Sequence, residues 1–190
     1  AQTVLDDAWM GHRIKVFETS LNTDQARKVR FPEEFETVEE AIDNIAADET
    51  IVPMPVERGE RFDDEFAYFR RKHGTYWRWI RPVFGGATRS SANVRIEFRP
   101  LPGQPTLHDA IAFQAVFAGA LEHLHSSQHP VRRLEWDTAR ANFYAAMRDG
   151  IDAELTWMTA EGQMTTDLET MYEELFSAAR SGLQAQGLQD

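Results

Sequence analysis

Between residues 99 and 106 the chain changes its hydrophobic period, and no all-helical or all-strand fold accommodates both sides of that change. Before the break, "ANVRIEFR" (92–99) alternates. Ala92, Val94, Ile96 and Phe98 fall on one face, and Asn93, Arg95, Glu97 and Arg99 on the other, which is the period of a strand. "PLPGQP" then punctuates the chain. Beyond it Thr106 and Asp109 make a capping-box-like start. Ile111, Phe113, Val116, Phe117, Ala120, Leu121 and Leu124 follow as a broad apolar stripe at helical spacing. The predicted class is α+β, a small antiparallel sheet followed by a helical C-terminal half.

The remaining segments fill in that outline. "HRIKVFETS" (12–20) is predicted as a strand with Ile14 and Val16 on one face. Thr37 and Glu40 cap a short amphipathic helix carrying Val38, Ala41, Ile42 and Ile45. "VPMPVERGERFDDE" (52–65) is rich in Pro, Gly and charge and is predicted as a mobile loop. A strand over 75–81 puts Trp77, Trp79 and Arg81 on one face, and a Gly-Gly turn leads to the strand at 92–99 as an antiparallel pair. A helix is predicted across 138–157, with Phe143, Met147 and Leu155 inward and Gly150 as its weak point. Another is predicted over 167–181, capped by Thr166 and Glu169 and stopped by Gly182.

Charge and composition narrow the function. The 190 residues carry 31 acidic and 20 basic side chains, a net charge of −11, which argues against a nucleic-acid-backbone binder. No apolar run reaches the length of a membrane span. There is no cysteine, which removes disulfides, thiolate metal sites and a Cys nucleophile and makes reducing cytoplasm the expected compartment. The start lacks both a signal-peptide pattern and an initiator Met, as expected of a processed chain or a fragment. Neither a Walker nor a Rossmann phosphate loop is present, and Ser90 and Ser91 have no convincing His–acid partners. His123, His125 and His129 sit at a helix end, where the dipole favours His without any metal. Asp63, Asp64 and Glu65 are expected to be a solvated acidic stretch.

The question left is why one strand carries Arg95, Glu97 and Arg99 on a single face. A solvated mixed-charge face is the plain answer. Yet the preceding strand adds Trp79 and Arg81, and "FRRKHGTYWRWIR" adds Arg70, Arg71, Lys72, His73 and Arg78. One carboxylate among several guanidiniums suits phosphates and carboxylates, and a Glu so placed suits Mg²⁺, which takes few protein carboxylates.

The ordered set "HRIKVFETS", "HGTYWRWIRPVFGG", "VRIEFRPLPGQPTLHDAIAFQAVFAGAL" and "ARANFYAAMRDGIDAELTW" resembles the second half of the glutamate–cysteine ligase family of carboxylate–amine ligases. Arg-x-Glu-x-Arg, then Pro, then a capped helix is also similar to the glutamine synthetase superfamily. The resemblance implies a glutamine synthetase-like catalytic domain whose antiparallel sheet lines the active site, with residues 1–190 as a single domain, the C-terminal half of a longer one. It implies an ATP- and Mg²⁺-dependent reaction in which the γ-carboxylate of glutamate becomes an acyl phosphate and an amine such as that of cysteine attacks it. Glu97 would be a metal ligand, Arg95 would face the ATP phosphates, and Arg99 the substrate carboxylate or the transferring phosphoryl. Arg81 would be catalytic on the substrate side, with Trp79 and His73 lining it. The implied partners are small molecules, with neither nucleic acid nor membrane. Sheet edges left unpaired by the absent half would favour a homo-oligomer and leave the isolated chain inactive. Two other classes stay open: a non-catalytic nucleotide- or anion-binding module, and an α-helical interaction domain.

Overall fold

Trp79, Ile14 and Val29 are the largest fully buried side chains, and all three lie in the half of the chain that precedes the Pro-Gly-Pro break. The computed structural model describes residues 9–24, 26–50, 62–86 and 91–188. The chain divides into two compact units, one of residues 13–102 and one of residues 103–190 with the first twelve residues.

The 13–102 unit contains α1 (His12–Leu21), β1 (Val29–Arg30), α2 (Val38–Ala47), α3 (Phe62–Thr75), β2 (Trp77–Arg78), β3 (Ile80–Gly85) and β4 (Asn93–Phe98). The segment 12–20 is a helix, not the predicted strand. Ile14, Phe17 and Leu21 recur at helical spacing. Ile14 is buried and the Phe17 ring meets Trp77 edge-on at 4.9 Å, so packing decides against the short β-branched alternation. The α2 prediction holds: the Thr37 hydroxyl accepts from Glu40 N at 3.1 Å, and the Glu40 carboxylate accepts from Glu36 N at 2.7 Å. Such a cap is worth about 1 kcal/mol. Of the predicted 52–65 loop, residues 52–61 lie outside the described residues, whereas 62–65 begin α3.

β1 and β2 pair in parallel, Val29 with Trp77 and Arg30 with Arg78. The Asn22 side chain bonds Val29 like a further strand, accepting from its N–H at 2.7 Å and donating to its carbonyl at 2.8 Å. β4 has the predicted antiparallel partner, with Arg81 opposite Glu97 and Pro82 opposite Ile96, but that partner is β3 (80–85) and not the predicted 75–81: Thr75 ends α3, and Trp77 and Arg78 pair in parallel with β1. On the apolar face of the β3–β4 pair Phe84 packs with Ala41 and Ile45 of α2 and with Phe69 of α3. That cover reaches β3 only, because Val94 and Ile96 of β4 stay 47% and 51% exposed.

The second unit contains α4 (Leu107–Ser126), a 3₁₀ turn (Pro130–Arg133), α5 (Trp136–Asp149), a 3₁₀ turn (Gly150–Asp152), β5 (Glu154–Thr159), β6 (Gly162–Asp167) and α6 (Leu168–Ala185). Thr106 caps α4 as predicted, accepting from Asp109 N at 3.1 Å. The helix predicted over 138–157 stops at Gly150, whose φ of 62 is costly for any residue with a Cβ. Residues 154–167 then form an antiparallel hairpin, Thr159 opposite Gly162. Leu155 is buried as expected, but from a strand, with Ala153, Leu168 and Met171. Asp167 rather than Thr166 caps α6, accepting from Thr170 N at 2.8 Å.

Gly182 does not stop α6 but lies inside it, where α6 crosses α4 at Gly119. A Cβ on Gly182 would strike the Gly119 carbonyl, and one on Gly119 would strike the Ala179 carbonyl. The backbones meet through small residues, so α4 is fully buried only at Gly119 and Ala120, while Val116, Phe117 and Leu124 are half-buried and Ile111, Phe113 and Leu121 remain exposed. Gly182→Ala should therefore cost about 1–3 kcal/mol, the usual penalty of overpacking. Gly74→Ala in α3, where an added Cβ meets nothing within 4 Å, should be neutral or gain up to about 1 kcal/mol. Thermal unfolding of both variants checks the contrast.

Candidate active site

Arg81 and Glu97 are directly opposite in the β3–β4 register, so their side chains share a face. Arg81 Nε donates to Glu97 Oε2 at 2.6 Å. Its Nη1 donates to the carbonyls of His73 and Tyr76, at 2.9 and 2.8 Å, where α3 ends and β2 begins. With its side chain only 10% exposed, the Arg81 guanidinium is spoken for by the protein itself. Glu97 is thereby fixed in direction, and its other oxygen, Oε1, lies 3.7 Å from Arg99 Nε.

Arg99 is held differently. Its guanidinium lies 5.2 Å from the centre of the Trp77 ring, and its main chain continues the ladder, with Arg99 N donating to Trp79 O at 2.8 Å. Arg13 of α1 donates to the Arg99 carbonyl. The Arg99 Nη1 atom is buried with no hydrogen-bond partner, and its charge is only partly met by Glu97. Burial and then the nearby Arg81 charge pull the Arg99 pKa down, against the partial support of Glu97. A buried donor without an acceptor costs about 1–3 kcal/mol, and an arriving anion would remove that cost.

The other residues singled out from the sequence are placed around this pair. Arg95, opposite Val83, lies on the same face one pleat away, exposed; a Cβ on Gly85, diagonally across on β3, would sit 3.3 Å from its Nη2. Trp79 is only 2% exposed. Its indole Nε1 donates to Glu18 at 3.3 Å and its ring lies 5.5 Å from the Arg13 guanidinium, so it braces the site from the core. His73 is 6% exposed, its Nε2 2.7 Å from the Pro82 carbonyl and its ring between Phe69 and Phe84. Burial holds its pKa below the ordinary 6.5, with Arg81 and Arg78 adding to the effect and the Pro82 bond opposing it.

Arg78, counted in the sequence among cations free for anions, is instead consumed in a buried ion-pair cluster. It donates to both Glu33 oxygens and, at 2.8 Å, to Asp48, while Arg30 also reaches Glu33. Burial opposes charge on Arg78, yet Glu33 and Asp48 outweigh it and raise the Arg78 pKa; Arg78 in turn overcomes burial at Glu33 and lowers its pKa. This cluster lines a shallow open cleft with Ala41 and Ile45 of α2, Tyr76 and Pro82. Nothing in the spacing of residues 33, 48 and 78 announces the cluster. Likewise nothing announces Arg13 and Glu18, which were hidden by the strand assignment.

The guanidiniums fit a phosphate or carboxylate ligand. A divalent cation finds one carboxylate here, Glu97, with Oε2 engaged by Arg81, and no group of three or more His, Asp or Glu suited to a metal occurs among the described residues.

The sequence model of the Glutamate-cysteine ligase family 2 (GCS2) matches residues 5–189. The chain belongs to glutamate–cysteine ligase family 2. Membership places it among ligase-type enzymes and agrees with the α+β architecture. Comparison with curated proteins and with solved structures gives no significant match. No described helix is long and apolar enough to cross a membrane.

The buried neutral His73 gives a pH signature. Its folded pKa is lowered, so as pH falls below 6.5 the unfolded chain takes up a proton that the folded chain refuses. Its contribution to stability is complete above 6.5 and is lost as pH falls from there through the folded pKa. The slope it adds is at most about 1.4 kcal/mol per pH unit. Urea unfolding from pH 7.5 downward should show a smaller slope in His73→Gln than in the wild type. Equal slopes would remove His73 from the acid-sensitive groups.

Proposed function

We propose that the chain carries the anion-handling face of an ATP- and Mg²⁺-dependent carboxylate–amine ligase, one that joins glutamate to an amine of the cysteine class through an acyl phosphate. The observation that carries the reading is the unpartnered Arg99 Nη1 beside a carboxylate locked by Arg81, in a chain of this ligase family. Phosphoryl transfer asks little covalent chemistry of a protein and much fixed positive charge where oxygen charge develops.

In this reading Arg99 meets the substrate carboxylate or the transferring phosphoryl, because its guanidinium is anchored on Trp77 and still has a donor to give. Arg95, exposed on the same face, meets the nucleotide phosphates. Glu97, whose Oε1 is not taken by Arg81, would be the carboxylate that helps hold a divalent cation. Arg81 acts through Glu97 as a positioning residue, and His73 and Trp79 hold the substrate wall from beneath. Mg-ATP, when bound, supplies the transferable phosphoryl; this chain's residues bind and orient the anions. One carboxylate does not complete a metal seat. That is the support for treating the chain as part of a larger catalytic domain of glutamine synthetase-like type.

Nucleotide titration with and without Mg²⁺ separates this reading from its competitors. The ligase reading expects ATP binding that strengthens with Mg²⁺ and weakens in Glu97→Gln. Mg²⁺-independent binding indicates an anion-binding module, and no binding at all indicates an interaction domain. Arg99→Lys keeps the charge but loses the two-pronged grip of a guanidinium. In the assembled enzyme it should cost at least about 1.4 kcal/mol of transition-state stabilisation, a tenfold fall in kcat/KM. Wild-type rates in that variant would remove Arg99 from the site.

A further inference from the structure

The sheet supplies only half of the main-chain bonding at Arg99. The register that sets Ile80 opposite Phe98 continues to Trp79 opposite Arg99. Two residues in a hydrogen-bonded antiparallel pair normally exchange both N–H···O bonds. Here Arg99 N gives one, to Trp79 O at 2.8 Å, while the Arg99 carbonyl receives a side chain instead, Nη1 of Arg13 in α1. Pro100 follows, and a residue before proline is biased to extended backbone. The Arg99 main chain is thereby held from both sides, and Arg13 is one of the two holders.

Arg13 is itself held by the aromatic group that carries Arg99. Its guanidinium lies 5.6 Å from the centre of the Phe17 ring and 5.5 Å from that of Trp79. Phe17 meets Trp77 edge-on at 4.9 Å, and Trp77 is the platform of the Arg99 guanidinium. Arg13 and Phe17 stand four residues apart, so one face of α1 presents both. Glu18 joins them by accepting from the Trp79 indole at 3.3 Å. A neutral donor would satisfy the Arg99 carbonyl as well as Arg13 does. A guanidinium also brings a positive charge, which adds to burial and to Arg81 in opposing the charged form of Arg99. Like charges held together are a cost to the protein by itself, and a bound anion relieves it. We propose that Arg13 is a positioning residue of the anion site: by bonding the Arg99 carbonyl and lying against Phe17 and Trp79, it aims the Arg99 guanidinium at a phosphate-class anion. This role rests on Arg99 being the anion contact, and every contact that supports it lies within residues 13–102.

The test uses the full 190-residue chain, inorganic pyrophosphate as the probe and two readouts. One is the Arg99 Nε–H signal in heteronuclear NMR of the arginine side chains, assigned by its loss in Arg99→Met. In Arg13→Met this signal should move toward the position of a free arginine and respond less to pyrophosphate. The other is pyrophosphate affinity, which should fall about tenfold or more in Arg13→Met. Arg13→Lys keeps the charge and a donor but not the flat face against the rings. It should stay folded and bind more weakly than the wild type but more tightly than Arg13→Met. Thr37→Ala, which removes the α2 cap, should lower the unfolding midpoint and leave the affinity unchanged, so lost stability by itself does not account for an Arg13 effect. Circular dichroism establishes that each variant is folded. Arg13→Met and Arg13→Lys variants that bind as the wild type does, or that leave the Arg99 signal in place, would overturn the inference alone. Wild-type affinity in Arg99→Met, or no pyrophosphate binding by the wild type, would overturn the reading of Arg99 and the inference with it.

Discussion

Arg81 ties three pieces of chain together: the end of α3 through the His73 carbonyl, the start of β2 through the Tyr76 carbonyl, and β4 through Glu97. Most of the geometry around the charged face depends on that one guanidinium. A planar fork with donors on several sides can satisfy fixed acceptors in different directions at once, which an ammonium cannot do with the same rigidity. Because Arg81 is held through Nε and Nη1, Glu97 is aimed, and because Glu97 is aimed, Arg99 is left beside a carboxylate that only half answers it.

Arginines in the 13–102 unit meet two opposite fates. Arg78 is buried and matched by Glu33 and Asp48. Removing a partner from such a cluster leaves an uncompensated buried charge, typically a loss of about 3–5 kcal/mol, so it serves the fold. Arg99 is buried in part, stacked on Trp77, and left with a donor that no protein group meets. Protein interiors seldom leave such donors unmatched, and those that persist mark places where something other than the protein completes the bonding. The contrast is what singles out Arg99, among the basic residues, for the proposed anion contact.

The legible parts of the sequence were those in which one periodicity dominated. Strand β4 with an antiparallel partner carrying Arg81, the Thr37 and Thr106 caps and the sharing of one face by Arg81, Arg95 and Glu97 follow from alternation and capping chemistry, which are local, whereas the bounds of β3 do not. Residues 12–20 were misread because short β-branched alternation imitates a strand, while Ile14 and Phe17 are claimed by long-range packing. Gly150 and Gly182 were misread in opposite senses. Gly150 breaks a helix by its positive φ, and Gly182 sits within one because another backbone passes close by. Sequence alone assigns neither conformation nor neighbour. The Arg78 cluster and the bonds that hold Arg81 were equally invisible, since both depend on carboxylates and carbonyls brought together from distant positions.

The central claim is that the anion contact is Arg99 and that its guanidinium, stacked on Trp77, is the group an incoming phosphate meets. The most direct measurement is a pyrophosphate titration followed by tryptophan fluorescence, in the wild type and in Arg99→Met, which keeps bulk over Trp77 but removes the donors. The account predicts a saturable, salt-sensitive change in the wild type that is lost in Arg99→Met. The same affinity and the same fluorescence change in both proteins would contradict it.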